Sequence, residues 1–108
     1  MDFVTKKIGK FKLINVKNKV LDETIVRKLY NQFKKNNFAI NCNCIQAFKD
    51  KSTIELIHSL NIPLIISTPQ LICQASLLAQ EKFPQVYIND SDYVNNKRML
   101  VKRRFKVV

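Results

Sequence analysis

The clearest sign of the fold class is the run Leu64-Ile65-Ile66-Ser67-Thr68-Pro69-Gln70-Leu71. Its three consecutive apolar residues are typical of a strand in the middle of a sheet, covered on both faces. Thr68 suits the N-cap of a helix, and Pro69 suits its first turn because the φ of proline is already helical. The helix that follows has a broad apolar face formed by Leu71, Ile72, Ala75, Leu78, Ala79 and Phe83. A buried strand that leads at once into a helix predicts an α/β fold.

The residues before this stretch show the same alternation of strand and helix. The segment from Phe11 to Val16 has the composition of a strand. The basic leader before it contains Lys6, Lys7 and Lys10. A helix is predicted from Asp22, with acids at its start and lysines at its end, as the helix dipole favours. Its apolar residues recur at helical spacing and are Ile25, Val26, Leu29, Tyr30 and Phe33.

A second strand and a second helix are predicted between residues 38 and 60. In an extended run, alternate residues share a face, so we expect this strand to bury one side. The buried side holds Phe38, Ile40, Cys42 and Cys44, and the other side holds Ala39, Asn41 and Asn43. Ser52 and Glu55 have the spacing of a capping box, which predicts a helix start. The apolar residues of that helix are Ile54, Leu56, Ile57 and Leu60.

Two further strands complete the prediction. Pro84 ends the third helix, and residues 86–88 form a short strand before a polar turn at residues 89–92. Residues 97–108 alternate again and are expected to form an edge strand with a basic outer face. Strands separated by helices of this length predict one α/β domain over residues 1–108. We expect a three-layer sandwich, in which helices flank a mixed or mainly parallel sheet with basic terminal strands.

The composition argues against several classes of protein. The single glycine, Gly9, argues against a P-loop or a dinucleotide cradle, which places glycine where the backbone meets a phosphate, and we expect no cofactor. No apolar run reaches the roughly 18 residues of a membrane span. The three cysteines are an odd number with no secretory leader before them. We therefore expect a reducing intracellular compartment, the cytoplasm.

The net charge of +11 is unevenly distributed along the chain. Residues 1–36 hold ten basic and three acidic side chains, and residues 37–92 hold three basic and five acidic ones. Residues 93–108 hold six basic side chains and no acid. If the terminal strands and the first helix lie on one side of the sheet, these cations form one surface that neutralises phosphates.

The candidate nucleic-acid contacts lie in the two basic ends. The C-terminal contacts rank first, because arginine binds phosphate bidentately and stacks on bases. They are Arg98, Lys102, Arg103, Arg104 and Lys106. The N-terminal contacts are Lys6, Lys7, Lys10, Lys12 and Lys28. A solvated sheet edge explains the N-terminal lysines, with Lys17 and Lys19, equally well, and an anionic membrane is a weaker alternative because no amphipathic basic helix accompanies the charge.

The cysteines and the histidine have simpler explanations than metal binding or catalysis. Cys42 and Cys44, with Cys73 and His58, lack the two spaced pairs of ligands that a structural zinc site shows. Buried thiols are the favoured interpretation. A dyad of His58 with Cys44 or Cys73 has no supporting motif, so an exposed surface histidine is favoured.

Part of the chain resembles the kink-turn-binding family of small ribosomal and small-nucleolar RNP proteins. The residues that carry the resemblance are 54–60, the run Asn61-Ile62-Pro63-Leu64-Ile65-Ile66-Ser67, the helix opened by Gln70-Leu71 through Ala75, and Val86-Tyr87-Ile88. The resemblance covers about a third of the chain and implies RNA binding. It also implies RNA-facing positions at Thr24, Arg27, Lys28 and the turn at residues 68–71.

These observations together predict a non-enzymatic RNA-binding protein, a ribosomal or other ribonucleoprotein component that contacts phosphates through its basic ends. Protein subunits of the same assembly are further expected partners, and a membrane is not. One alternative is an interaction or scaffolding subunit that docks a partner at an edge strand. Another is a small metal-dependent nuclease or nucleotide-handling enzyme that uses Asp90 and Asp92, although two carboxylates in a turn favour simple solvation.

Overall fold

The computed structural model describes residues 3–8, 11–35, 37–79 and 82–89. The strands are β1 Phe3–Ile8, β2 Phe11–Val16, β3 Val20–Leu21, β4 Asn37–Asn41, β5 Ala47–Phe48, β6 Leu64–Ile65 and β7 Val86–Tyr87. The helices are α1 Glu23–Phe33, α2 Lys51–Ser59 and α3 Pro69–Ala79. The predicted α/β alternation is confirmed, and the predicted strand from Phe11 to Val16 has the bounds of β2.

The main sheet has the strand order β1-β2-β4-β6-β7. β1 is antiparallel to β2, and the other neighbours are parallel. A helix connects each parallel pair, as a crossover between parallel strands requires. β3 and β5 form a small parallel sheet of their own. The structure is therefore α/β with a mixed, mainly parallel sheet, as the sequence predicts.

The two faces of the main sheet are packed differently. One face carries the larger cluster of buried side chains, to which all three helices contribute. Its sheet residues include Ile14, Ile40, Leu64 and Val86. The opposite face, here the second face, carries a separate buried cluster of Leu13, Ala39, Ile65 and Tyr87. The central strands are thus covered on both faces, which is compatible with a three-layer sandwich.

Aspartates start the first two helices. The Asp22 carboxylate accepts a hydrogen bond of 2.9 Å from the Ile25 amide, and the Asp50 carboxylate accepts one of 3.0 Å from the Thr53 amide. The predicted start of α1 is confirmed. The capping box predicted for α2 is wrong, because Asp50 holds the N-cap and Ser52 lies in the first turn. Ser52 Oγ donates to the same Asp50 carboxylate at 3.1 Å.

Several strand predictions need correction. The basic leader is itself a strand, β1, which pairs with β2 along its whole length. β4 buries both faces rather than one, because Ala39 belongs to the second-face cluster. Cys44 lies in an exposed turn after β4 instead of on its buried face. The two-residue strands β3 and β5 are too short to show an alternating pattern in the sequence.

The predicted start of the third helix at Thr68 and Pro69 is confirmed. The Thr68 carbonyl accepts from the Leu71 amide at 3.2 Å. The described part of α3 ends at Ala79, and Phe83 packs against the core from beyond it. The edge strand predicted over residues 97–108 and most of the polar turn at residues 89–92 lie outside the described residues.

Candidate nucleic-acid interface

Two lysines of the β1–β2 hairpin point to the face of the sheet that the helices cover. Lys7 and Lys12 are directly opposite each other in the antiparallel register. Residues that pair in this way share a face of the sheet. Lys12 lies two residues before the buried Ile14 on β2, so both side chains are on the same face. The hairpin therefore presents a pair of neighbouring cations toward α1.

Lys12 reaches the C-terminal end of α1. Its Nζ lies 5.2 Å from the ring centroid of Phe33, which is the distance of a cation–π contact. The Phe33 ring in turn packs against Phe38 of β4, with the centroids 6.1 Å apart. Lys34 and Lys35 follow Phe33 and are exposed. Lys34 and Lys35 therefore follow directly on the end of α1 that Lys12 contacts, at the amino edge of the parallel strands.

The exposed face of α1 carries two further cations. Arg27 and Lys28 are exposed, together with the amides Asn31 and Gln32. No acidic residue occurs between positions 24 and 35. We name the six cations of this region the α1–hairpin surface. They are Lys7, Lys12, Arg27, Lys28, Lys34 and Lys35.

Acidic side chains offset little of the positive charge. The described residues include twelve basic and four acidic side chains, a net charge of +8. Asp22 and Asp50 accept the capping hydrogen bonds of their helices. Glu55 forms a surface ion pair with Lys82, in which Oε2 lies 3.8 Å from Nζ. This pair is distant in sequence from the α1–hairpin surface. The positive field of this surface is therefore weakly compensated.

The structure separates some of the residues that the sequence predicts to act together. Lys7 and Lys12 are neighbours in the hairpin, and Arg27 and Lys28 are exposed on α1. Lys6 lies on the second face, opposite Leu13 in the register. The other predicted contacts lie outside the described residues and are Lys10, Arg98, Lys102, Arg103, Arg104 and Lys106.

Two corrections concern residues near the helix ends. Lys34 and Lys35 belong to the surface but are absent from the predicted contacts, although their position after the last apolar residue of α1 was a usable signal. Leu71, in the turn that the family resemblance implies to face RNA, is 2% exposed and belongs to the core. Thr24, Thr68, Pro69 and Gln70 are exposed.

The three thiols have different environments. Cys42 is buried, and burial raises the pKa of its thiol far above the ordinary value. Cys44 and Cys73 are exposed, so the prediction of buried thiols is wrong for these two. Among the residues that the structure describes, no group of histidine, cysteine, aspartate or glutamate could hold a metal ion.

His58 is exposed, as predicted, and lines a cleft of about 450 Å³ beside α2. Ser52 and Ser59 line the same cleft. Both hydroxyls donate to local acceptors, Ser52 to the Asp50 carboxylate and Ser59 to the Leu56 carbonyl at 3.0 Å. A serine nucleophile needs its proton directed at a base, so this arrangement does not activate either serine through His58.

The carboxyl edge of the parallel strands, where α/β proteins often bind ligands, is lined by amides. Asn41 Oδ1 accepts from the Asn43 amide at 3.0 Å, and Asn43 Oδ1 accepts from Ser67 Oγ at 2.7 Å. These groups bond to one another and thereby fix the loops after β4 and β6. Asn18, after β2, has a buried Oδ1 without a hydrogen-bond partner.

Comparisons with protein families, curated proteins and solved structures give no match for this chain. Within the described part of the chain, none of the helices has the length and apolar character needed to span a membrane.

Proposed function

We propose that this protein is a non-enzymatic RNA-binding protein, a component of a ribosomal or other ribonucleoprotein particle. The observation that carries the proposal is the α1–hairpin surface. Its cations come from two strands and from α1, and α1 carries no acid beyond its first turn to offset them. Arginine and lysine side chains of this kind neutralise phosphates and release condensed counterions, which supplies most of the affinity for a nucleic acid.

The chemistry of the surface favours structured RNA over a single strand. Sequence-tolerant binding of single strands uses exposed aromatic rings on which bases stack. Phe33 and Phe38 are 5% and 7% exposed, so neither ring is available for stacking. The exposed amides Asn31 and Gln32 stand between the cations of α1 and offer hydrogen bonds to 2′-hydroxyl and phosphate oxygens. Such a surface binds the backbone of a folded RNA.

The C-terminal cations belong to the proposal as a second contact. Arg98, Lys102, Arg103, Arg104 and Lys106 form the densest basic segment of the sequence. The similarity to kink-turn-binding proteins supports the same class of partner, and Arg27 and Lys28, which it implies to face RNA, are exposed on α1. A folded RNA offers phosphates to both groups of cations at once.

The experiment is RNA binding titrated over salt concentration, with variants of equal charge change. One variant replaces Lys7, Lys34 and Lys35 by glutamine. Its control replaces Lys17, Lys19 and Lys49, which are also exposed but follow β2 and β5 at the opposite end of the strands. A third variant replaces Arg103, Arg104 and Lys106 by serine. We expect the first and third variants to bind more weakly and with a shallower salt dependence than the control.

The same mixtures test the non-enzymatic part of the proposal. Labelled RNA incubated with the protein and magnesium is expected to stay intact. Cleavage that disappears in an Asp90→Ala variant would replace this proposal with a metal-dependent nuclease.

A further inference from the structure

The second face of the main sheet is buried, although the described helices pack on the other face. Its cluster consists of one residue from each of β2, β4, β6 and β7 and includes no helix residue. Leu13, Ile65 and Tyr87 are 1%, 1% and 3% exposed. All three helices contribute instead to the larger cluster. Side chains on one face of a sheet stand side by side with their ends open to solvent, so exposures this low require a further layer.

The exposed fractions define the extent of this layer. Ala39 of β4 is 0% exposed. Val4 of β1 pairs with Asn15, which lies two residues after Leu13, so Val4 is on the same face of the sheet. Its side chain is nevertheless 52% exposed. The layer therefore covers the sheet from β2 to β7, which is three strand spacings or about 15 Å, and leaves Val4 of β1 largely uncovered.

The rest of the described chain does not supply the layer. Leu21 of β3 and Phe48 of β5 belong to the cluster on the helix face. The short stretches outside the described residues have one or two residues each, too few to cover four strands, and they are 1–2, 9–10, 36 and 80–81. The remaining stretch has nineteen residues, 90–108, and begins three residues after Tyr87 of the buried cluster. At about 3.3 Å for each extended residue, it is long enough to cross the sheet.

We propose that the C-terminal segment, residues 90–108, docks on the second face of the sheet and supplies this layer. The segment has a suitable composition, because eight of its nineteen residues are apolar. They are Tyr93, Val94, Met99, Leu100, Val101, Phe105, Val107 and Val108. Its six basic side chains would then face solvent, since an unpaired charge is costly to bury. The segment is thus a packing partner of the sheet as well as a carrier of charge.

Thiol labelling of the full chain tests the proposal, because β4 offers a reporter for each face of the sheet. Cys42 belongs to the buried cluster on the helix face. Ala39→Cys, in a chain that also carries Cys44→Ser and Cys73→Ser, places a second thiol on the second face. We expect both thiols to resist a maleimide reagent in this background. Replacement of residues 99–101 by serine should remove the protection of the thiol at position 39 and leave Cys42 protected.

The control variant changes three residues of the same segment that are not expected to touch the sheet. It replaces Lys97, Lys102 and Lys106 by serine and should leave both thiols protected. A thiol at position 39 that stays protected after replacement of residues 99–101 would overturn the proposal. Loss of its protection to the same degree in both variants would also overturn it.

Methyl contacts measured by NMR in the wild-type chain locate the segment without any substitution. We expect nuclear Overhauser effects between the methyl groups of residues 99–101 and those of Leu13 and Ile65. Effects to Ile14 and Ile40 on the helix face instead, or none to the second face, would overturn the proposal. This measurement also decides the case in which the serine variant unfolds and exposes both thiols. Both experiments use protein free of nucleic acid, so their outcome is independent of the proposed RNA contact.

Discussion

The three cysteines show how position alone separates chemically identical side chains. Cys42 follows β4 and is 1% exposed, whereas Cys44, two residues later, lies in an exposed turn. The thiolate is the reactive form, and burial raises the pKa of Cys42 so that its thiol stays protonated.

Two thiols of the native protein are therefore expected to react with a thiol reagent at mildly alkaline pH. In the denatured protein, all three thiols are expected to react. The two that react in the native protein are Cys44 and Cys73. Single serine variants assign each thiol. Rapid native labelling of Cys42 would be inconsistent with the packing of β4 described above.

The carboxyl of Asp50 makes a pH-dependent contribution to the stability of the fold. Hydrogen bonds from the Thr53 hydroxyl, the Thr53 amide and Ser52 hold the pKa of its carboxyl below the ordinary value of 3.8. A lowered pKa in the folded state means that the ionised carboxylate stabilises the fold above the ordinary pKa. That contribution is lost as the pH falls through the lowered pKa.

The comparison that checks this is urea unfolding of the wild type and an Asp50→Asn variant, at neutral pH and in strong acid. Asparagine also caps a helix but does not ionise. We expect the wild type to exceed the variant in stability at neutral pH and the difference to shrink in acid. A stability difference that stays constant across this pH range would show that ionisation of the Asp50 carboxyl does not stabilise the fold.

At the scale of elements, β4 and β6 are covered on both faces of the sheet. Ile40 faces the helices and is 0% exposed, and Ile65 faces the other way and is 1% exposed. Equal burial predicts an equal packing role. Each isoleucine to alanine substitution is expected to cost about 2 to 5 kcal/mol of unfolding free energy.

Val4→Ala is the control for the second face, because Val4 is 52% exposed. This substitution should lower the unfolding free energy by less than about 1 kcal/mol. Denaturant unfolding of the three variants provides the measurement. If Ile65→Ala lowered the unfolding free energy no more than Val4→Ala does, the second face would not be packed.

The three helices and the strands β2, β4 and β6 were predictable because each carries its own local signal. The apolar spacing of α1, the Thr68-Pro69 start of α3 and the continuous apolar run of β6 depend on nearby residues alone. β1 was missed because it contains the consecutive polar residues Thr5, Lys6 and Lys7, whose polarity suggests a leader. The strand exists because β2 supplies hydrogen-bond partners along its whole length, and a pairing of this kind is not visible in the composition of one segment.

The candidate site was predictable only in part for the same reason. The sequence shows that residues 1–36 are basic but does not show which side of β1 each lysine occupies. Pairing with β2 places Lys7 beside Lys12 and places Lys6 opposite Leu13 on the second face. The end of α1 then adds Lys34 and Lys35, which sequence reasoning treated only as a match to the helix dipole.

Charge is distributed unevenly over the whole molecule. The α1–hairpin surface holds six cations, whereas α3 carries no charged side chain. The proposed contact with RNA should weaken as salt is added, because counterions compete with the cations of the protein for the phosphates.

The decisive measurement for the proposed RNA contact is the salt dependence of RNA affinity, compared between the two lysine variants of equal charge change. Replacement of Lys7, Lys34 and Lys35 should make the slope of log affinity against log salt shallower by about 2 to 3, since each lost phosphate contact removes about 0.7 to 0.9. Replacement of Lys17, Lys19 and Lys49 should leave the slope near that of the wild type. Equal slopes for the two variants would contradict the assignment of the α1–hairpin surface as the RNA contact.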